Sequence, residues 1–349
     1  MVVNMLIAVN TKSVIEHRLK PIARANMKTF EQECMQIISE VQQLLSDNPE
    51  WIDRYAGYAN AIEANLHKII SMKKRFNEWS PLYLYTNVSK AKGDMSFSLR
   101  YQGQEVATLK AGSKQIRIST KKFDEKNQRD FQCDPLSDTD WRSAAATKFR
   151  QHFSTFPKRT NQSGKKNEEH RIESTLLSEF SKRRSKNKIL TNIQPVKIAD
   201  IARFQMPTPI SGSDINKLKY SGRSGGGIDI LSRIGAGNAT KLCIMEVKDE
   251  NVTKEPPTKA IKQALTYATF IRELLKSRSG EQWWKLFGFN RKRPDSLALG
   301  VACVMPSNQN DDTSFGGMKI EAEKDVFSLH YLYFEEKECR IKDIKSSLS

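Results

Sequence analysis

Two carboxylates and one ammonium in the C-terminal half have the types and spacing of a cation site: Asp229, Glu246 and Lys248. The segment 235–238 (Gly-Ala-Gly-Asn) between them predicts a turn joining two strands. In such a hairpin, with the register displaced by about one position, Asp229 and Glu246 lie opposite each other with Cβ atoms about 5 Å apart. Two carboxylates at that separation can share one cation, and oxygen ligands suit Mg²⁺ or Mn²⁺.

Lys248 is expected on the same face of its strand as Glu246, because side chains two residues apart on a strand share a face. Apart from Glu246, the run 242–247 is apolar on both faces, which is typical of a central, buried strand. Charges at the end of such a strand are costly unless they pair closely or bind a metal. A structural ion-pair cluster is therefore the alternative to a catalytic site.

The order of the motifs around these residues resembles the PD-(D/E)XK nuclease superfamily, in particular its RecB-like branch. Segment 226–229 is similar to the Gly-x-hydrophobic-Asp motif, 246–248 to E-x-K, and 263–267 to the Q-x-x-x-Y of the following helix. The chain has no proline before Asp229 and lacks the cluster cysteines of some RecB-like nucleases. The resemblance spans roughly residues 168–305 and implies a restriction-endonuclease-like mixed sheet flanked by helices.

The resemblance also implies a role for each motif residue. Asp229, Glu246 and the carbonyl of Val247 would hold the Mg²⁺ or Mn²⁺ ion. The metal and Lys248 would then position and deprotonate a water for attack on phosphorus. Gln263 and Tyr267, one turn apart on the helix, would reach the rim of the cleft, although both could simply pack and cap.

The family places a further glutamate on the first core helix. Glu173 is the candidate, because the neighbouring residues 176, 177 and 180 (Leu, Leu and Phe) put it on the inward face. Glu169, one turn earlier, is an alternative, and either could be an ordinary surface carboxylate. The five histidines are scattered and indicate neither a metal site nor a catalytic triad.

Basic residues beside these motifs are candidates for binding nucleic acid. Arg183, Arg184 and Lys186 follow the first core helix and could hold backbone phosphates, although the helix dipole also favours basic residues there. Arg223 lies in the loop 221–227, whose glycines allow the backbone to approach a phosphate. This loop lacks the Lys-Ser/Thr ending of a nucleotide P-loop, which argues against hydrolysis of nucleoside triphosphates.

The composition agrees with a polyanionic partner. Lysine and arginine outnumber aspartate and glutamate by 57 to 40, for a net charge of +17, and the excess is spread over both halves. No stretch approaches the roughly 20 apolar residues that span a bilayer. The five cysteines are far apart and predict neither disulfides nor a zinc site. We expect a cytoplasmic protein with no membrane partner.

Periodicity predicts an α/β (α+β) chain in two parts. Residues 1–160 are predicted to form an N-terminal helical hairpin followed by a small β-meander over 95–119. A polar, basic linker over 157–167 leads into the second domain, 161–349. There we expect a helix from about 168 to 184 and the hairpin. A helix from 256–257 to about 276 and strands near 296–305, 326–334 and 339–344 follow.

The expected function is that of a metal-dependent endodeoxyribonuclease in restriction or anti-phage defence, a context that the resemblance alone implies. DNA is favoured over RNA as the partner, and a homo-oligomer or a defence complex is compatible with the chain. Three alternatives stay open: a nuclease of DNA repair or recombination, a catalytically inactive nucleic-acid-binding subunit, and a ribonuclease.

Overall fold

The protein is described from a computed structural model. The structure describes residues 29–75, 81–88, 95–111, 115–120, 131–156, 166–182, 190, 192–338 and 340–348. Most of the predicted linker and the predicted phosphate-binding residues Arg183, Arg184 and Lys186 lie outside the described residues.

Pairs of helices are followed by groups of strands along the chain, a mixed α+β arrangement that confirms the predicted fold class. The helices are α1 (29–46), α2 (Glu50–Arg75), α3 (Ala144–Thr155), α4 (Lys166–Phe180), α5 (Pro257–Lys276) and α6 (Gly280–Leu286). The strands of the first half are β1 (Leu82–Val88), β2 (Met95–Tyr101), β3 (Gln104–Ala111), β4 (Ile116–Thr120) and β5 (Thr139–Asp140). They are followed by β6 (Ile193–Pro195), β7 (Lys197–Ile198), β8 (Ala202–Phe204), β9 (Ile210–Ser211), β10 (Lys219–Tyr220), β11 (Ile230–Ile234), β12 (Lys241–Val247), β13 (Ala298–Pro306), β14 (Lys319–Ala322), β15 (Asp325–Lys337) and β16 (Arg340–Ser346).

The N-terminal helical hairpin is confirmed. Pro49 separates α1 from α2, and the indole of Trp51 donates to the carbonyl of Leu45 at 3.1 Å across the junction. The aromatic residues Trp51, Tyr55 and Tyr58 of α2 are buried in the core, and the ring of Tyr55 packs against Phe270 of α5. No helix among the described residues has the length and apolar character needed to cross a bilayer.

The first sheet has the strand order β5-β4-β3-β2-β1-β8-β7. Its β2-β3-β4 portion is the predicted meander, with Gln102 and Gly103 at positive φ in the first turn. The segment 193–204 is divided into β6, β7 and β8, and β8 runs parallel to β1. The sheet thus takes strands from both sides of residue 160, while the domain boundary itself stays a prediction.

The second sheet has the order β14-β15-β13-β12-β11-β6, and β16 adds to β15. Helix α5 packs on one face, where Leu242 and Ile244 of β12 join the larger core. Helix α4 packs on the other face, where Cys243 and Met245 join the smaller core. Strand β12 is therefore central and buried on both faces, as its sequence predicts.

A buried ion cluster fastens α5 to β15. The Arg272 Nε atom lies 2.7 Å from Asp325 Oδ2, and Lys276 Nζ lies 2.7 Å from the same oxygen. The other oxygen, Asp325 Oδ1, accepts from the backbone N–H of Leu297 at 2.7 Å. Arg272 is fully buried and Asp325 is 2% exposed, so each charge depends on the other for its compensation.

Replacement of Asp325 by alanine is expected to lower the free energy of unfolding by about 3 kcal/mol, because it leaves the Arg272 guanidinium buried with less compensation. The matched control is Asp53→Ala, which removes an exposed partner of Arg278 and should cost less than about 1 kcal/mol. Urea denaturation followed by circular dichroism measures both. Equal losses in the two variants would show that the buried cluster contributes no more than a surface pair.

Candidate active site

The pairing of β11 with β12 brings the two predicted carboxylates together. Ile230 pairs with Met245, so the same register continued by one residue sets Asp229 opposite Glu246. This confirms the predicted register. The connecting loop runs over 235–240, because Ile234 pairs with Lys241, and this longer loop accounts for the predicted displacement.

Both carboxylates have partners at the end of β12. The Asp229 Oδ2 atom accepts from the backbone N–H of Val247 at 2.9 Å, which fixes the aspartate against the strand. The Lys248 Nζ atom donates to Glu246 Oε1 at 2.7 Å, as expected for residues on one face of a strand. The second oxygen, Glu246 Oε2, is buried and has no hydrogen-bond partner among the described residues.

Helix α4 contributes two glutamates, and the sequence had proposed them as alternatives. Glu173 is 4% exposed and its charge acts on Asp229. Glu169, one turn earlier and half exposed, lies with its Oε1 atom 3.6 Å from Lys248 Nζ. Both therefore border the same cluster. The helix is held against β15 by Arg171, whose Nη2 atom donates to Glu336 Oε2 at 2.7 Å.

His170 is a neighbour of the site that the sequence did not single out. Its Nδ1 atom lies 3.5 Å from Glu173 Oε2, and this contact raises the pKa of the imidazole. The spacing of three residues on a helix was the available signal, because residues at i and i+3 are neighbours on the helix surface. Five scattered histidines gave no reason to prefer this one.

Burial and like charge set the protonation of the acidic pair. Burial, followed by the charges of Glu246 and Glu173, raises the pKa of Asp229 well above its ordinary value. Burial also raises the pKa of Glu246 to about 7, against the opposing effect of Lys248. Burial disfavours the charged form of Lys248, but the adjacent carboxylates of Glu246, Glu169 and Asp229 outweigh it and raise the pKa of the ammonium.

The donor set of the cluster fits one divalent cation held by two carboxylates. A bound cation would compensate the like charges of Asp229 and Glu246 and give the orphaned Glu246 Oε2 atom a partner. Magnesium characteristically keeps several waters and takes only one or two protein carboxylates. Within the described ranges, no group of three or more acidic, histidine or cysteine side chains is placed to hold a metal ion.

Gln263 and Tyr267 lie together on α5, both nearly fully buried. The Gln263 Nε2 atom donates to the Tyr267 hydroxyl at 3.3 Å. Burial and the charge of Glu246 raise the pKa of the phenol to about 12, so the hydroxyl stays protonated at neutral pH. A neutral phenol near two carboxylates can donate a hydrogen bond.

The glycine-rich loop 221–227 comes just before Asp229 in the sequence and is hydrogen-bonded to the segment 206–210. The Ile228 N–H donates to the carbonyl of Met206 at 2.8 Å, and the Ser221 N–H donates to that of Pro209 at 2.7 Å. Gly225 lies so close to this segment that a Cβ atom on it would be 2.2 Å from the carbonyl oxygen of Thr208. Arg223, predicted to contact nucleic acid, is exposed in this loop.

Replacement of Gly225 by alanine is expected to destabilise the fold by about 1–3 kcal/mol, because the new Cβ atom meets backbone and cannot be accommodated by a rotamer change. The control is Gly57→Ala in α2, where no atom lies within 4 Å and alanine should stabilise the helix by up to about 1 kcal/mol. Thermal unfolding of both variants measures the difference. An unchanged midpoint for Gly225→Ala would contradict the tight loop packing.

Comparison with known proteins gives no match for this chain among protein-family profiles, curated proteins or solved structures.

Proposed function

We propose that the chain is a metal-dependent endodeoxyribonuclease that hydrolyses phosphodiester bonds. The observation that carries the proposal is the paired Asp229 and Glu246, with Lys248 on the face of Glu246 and with Glu246 Oε2 buried and unpartnered among the described residues. The resemblance to the PD-(D/E)XK superfamily assigns the same three residues to catalysis.

An acidic cluster in a basic chain supports a cation-dependent reaction on a polyanion. Glu246, Glu169 and Asp229 act on the ammonium of Lys248, and Glu173 acts on Asp229, whereas the whole chain carries a net charge of +17. The overall positive charge attracts nucleic acid, and the local negative charge attracts a divalent cation. DNA is proposed as the substrate over RNA, in restriction or anti-phage defence, on the strength of the resemblance.

Each side chain of the cluster has a separate role in the proposed reaction. Asp229, Glu246 and the Val247 carbonyl would hold Mg²⁺ or Mn²⁺, which when bound supplies a Lewis acid and an acidified water. Lys248 stays an ammonium at neutral pH, so its role is to orient the attacking water and to stabilise negative charge on the phosphate. Tyr267 keeps its phenolic proton at neutral pH, so it could donate a hydrogen bond to the substrate and would not act as a base.

A catalytically inactive nucleic-acid-binding subunit is the second candidate. The observation that favours it is the direct ion pair between Lys248 and Glu246, together with the bond from the Val247 N–H to Asp229. These contacts partly compensate the charges of Glu246 and Asp229 without a bound cation. Such a protein would bind nucleic acid with a steep salt dependence and cut nothing.

Addition of Mg²⁺ or Mn²⁺ is expected to raise the thermal midpoint of unfolding, because the cation compensates the clustered carboxylates only in the folded state. At 100 times the dissociation constant the stabilisation is about 2.7 kcal/mol. Glu246→Gln should abolish the increase, whereas Glu321→Gln, on the exposed edge strand β14, should retain it. An equal increase in all three proteins would place the cation elsewhere.

Supercoiled plasmid is expected to be nicked or linearised in Mg²⁺ or Mn²⁺ and to stay intact in EDTA. Glu246→Ala and Lys248→Ala should each reduce the rate at least about 100-fold, the scale of losing a group that stabilises transition-state charge. The controls Glu321→Ala and Lys319→Ala alter exposed residues of β14 and should cut as the wild type does.

The outcomes of this assay separate the alternatives. Cleavage of linear duplex with intact circles would favour an end-dependent repair or recombination nuclease. Binding without cleavage in any metal would favour the inactive subunit. Cleavage that persists in both Glu246→Ala and Lys248→Ala would show that the active site lies outside this cluster.

A further inference from the structure

A cavity of about 530 Å³ lies between the first sheet and the glycine-rich loop. Its polar lining comes from Asn87 of β1, Ser96 and Arg100 of β2, and Gln205 immediately after β8. The backbone of 226–227 closes another side. Pockets that hold small ligands in proteins have volumes of about 300–1,000 Å³, so this one can hold a single nucleotide.

The cavity adjoins the proposed active site. Gly227 lines it and lies two residues before Asp229. Gln205 packs on Gly227, since a Cβ atom on that glycine would lie 3.2 Å from Gln205 Cγ. The charge of Arg100 acts on His170, which contacts Glu173. A ligand in the cavity would thus be next to the catalytic cluster.

Arg100 is oriented by its neighbours. Its guanidinium stacks 4.3 Å from the centre of the Tyr85 ring, and its Nη2 atom donates to Gln205 Oε1 at 3.2 Å. The Nε–H is buried and finds no acceptor within the described part of the chain. A guanidinium held in this way offers its remaining donors to a planar group with two adjacent acceptors.

The lining favours a nucleobase over a bare phosphate. Among the described residues of the lining, Arg100 alone is charged, and the amides of Asn87 and Gln205 can read a base edge. Val88 and Pro207 add apolar surface, against which a flat ring can pack. The base edge with two adjacent acceptors is that of guanine, at O6 and N7, for which arginine is the preferred partner.

We infer that this cavity binds a guanine nucleotide of the substrate strand beside the scissile phosphate, an inference that rests on the proposed nuclease function. The first sheet thereby contributes the base preference, and the second sheet contributes the chemistry. A base enters such a cavity only when it is out of the helical stack, so the substrate carries guanine in a single strand or an extruded position.

Binding of the four deoxynucleoside monophosphates to the full-length protein in EDTA tests the inference without any need for cleavage. Isothermal titration should show dGMP binding about tenfold more tightly than dAMP, dCMP or dTMP, the scale of one good arginine–guanine contact. Arg100→Lys keeps the positive charge but loses the planar set of N–H donors of the guanidinium. Gln205→Ala removes the side chain that orients this guanidinium. Each change should abolish the preference for dGMP. Arg117→Ala, on β4 of the same sheet, should retain it.

Equal affinity for the four nucleotides, or a preference that persists in both Arg100→Lys and Gln205→Ala, would overturn the inference. Competition by inorganic phosphate as effective as that by dGMP would also overturn it, because the cavity would then be an anion site. A guanine preference in a chain that cuts no DNA would reject the nuclease and leave the nucleotide pocket standing. Cleavage of DNA together with equal affinity for the four nucleotides would support the nuclease and reject the nucleotide pocket.

Discussion

The antiparallel register of β11 and β12 is the constraint on which the site depends. A shift of one residue would carry Glu246 and Lys248 to the opposite face of the sheet, away from Asp229. Neighbouring strands on both sides oppose such a shift. Strand β6 pairs with β11 in antiparallel fashion, and β13 pairs with β12 in parallel over six residues. The position of the two carboxylates is therefore a property of the whole sheet.

That position is electrostatically unfavourable, and the surrounding fold sustains it. Burial raises the pKa of both Asp229 and Glu246, which means that the folded chain opposes their ionisation. Lys248 compensates only part of this, because its ammonium faces the three carboxylates of Glu246, Glu169 and Asp229. The two cores on either face of β12 supply the apolar burial that offsets the cost. Functional sites commonly hold such strain because activity requires it.

Elements from both halves of the chain lie around the site. Strand β8, from beyond residue 160, joins the first sheet beside β1, and the segment after it holds the glycine-rich loop that leads to Asp229. Tyr55 of α2 packs on Phe270 of α5, which ties the helical hairpin to the second sheet. The N-terminal half therefore has direct contact with the elements that carry the proposed chemistry, and the cavity at Arg100 lies along that contact.

The sequence by itself determined the local elements and the hairpin. Helical periodicity located α1, α2 and α5, and the turn at 235–238 with its flanking apolar runs set the register that joins Asp229 to Glu246. These features are legible because they depend on neighbours in the sequence. Only the tertiary structure brought both Glu169 and Glu173 to the cluster and set His170 beside it. It also brought Gln205 to Arg100, over 100 residues away, because contacts between distant segments leave no periodic signal in either segment.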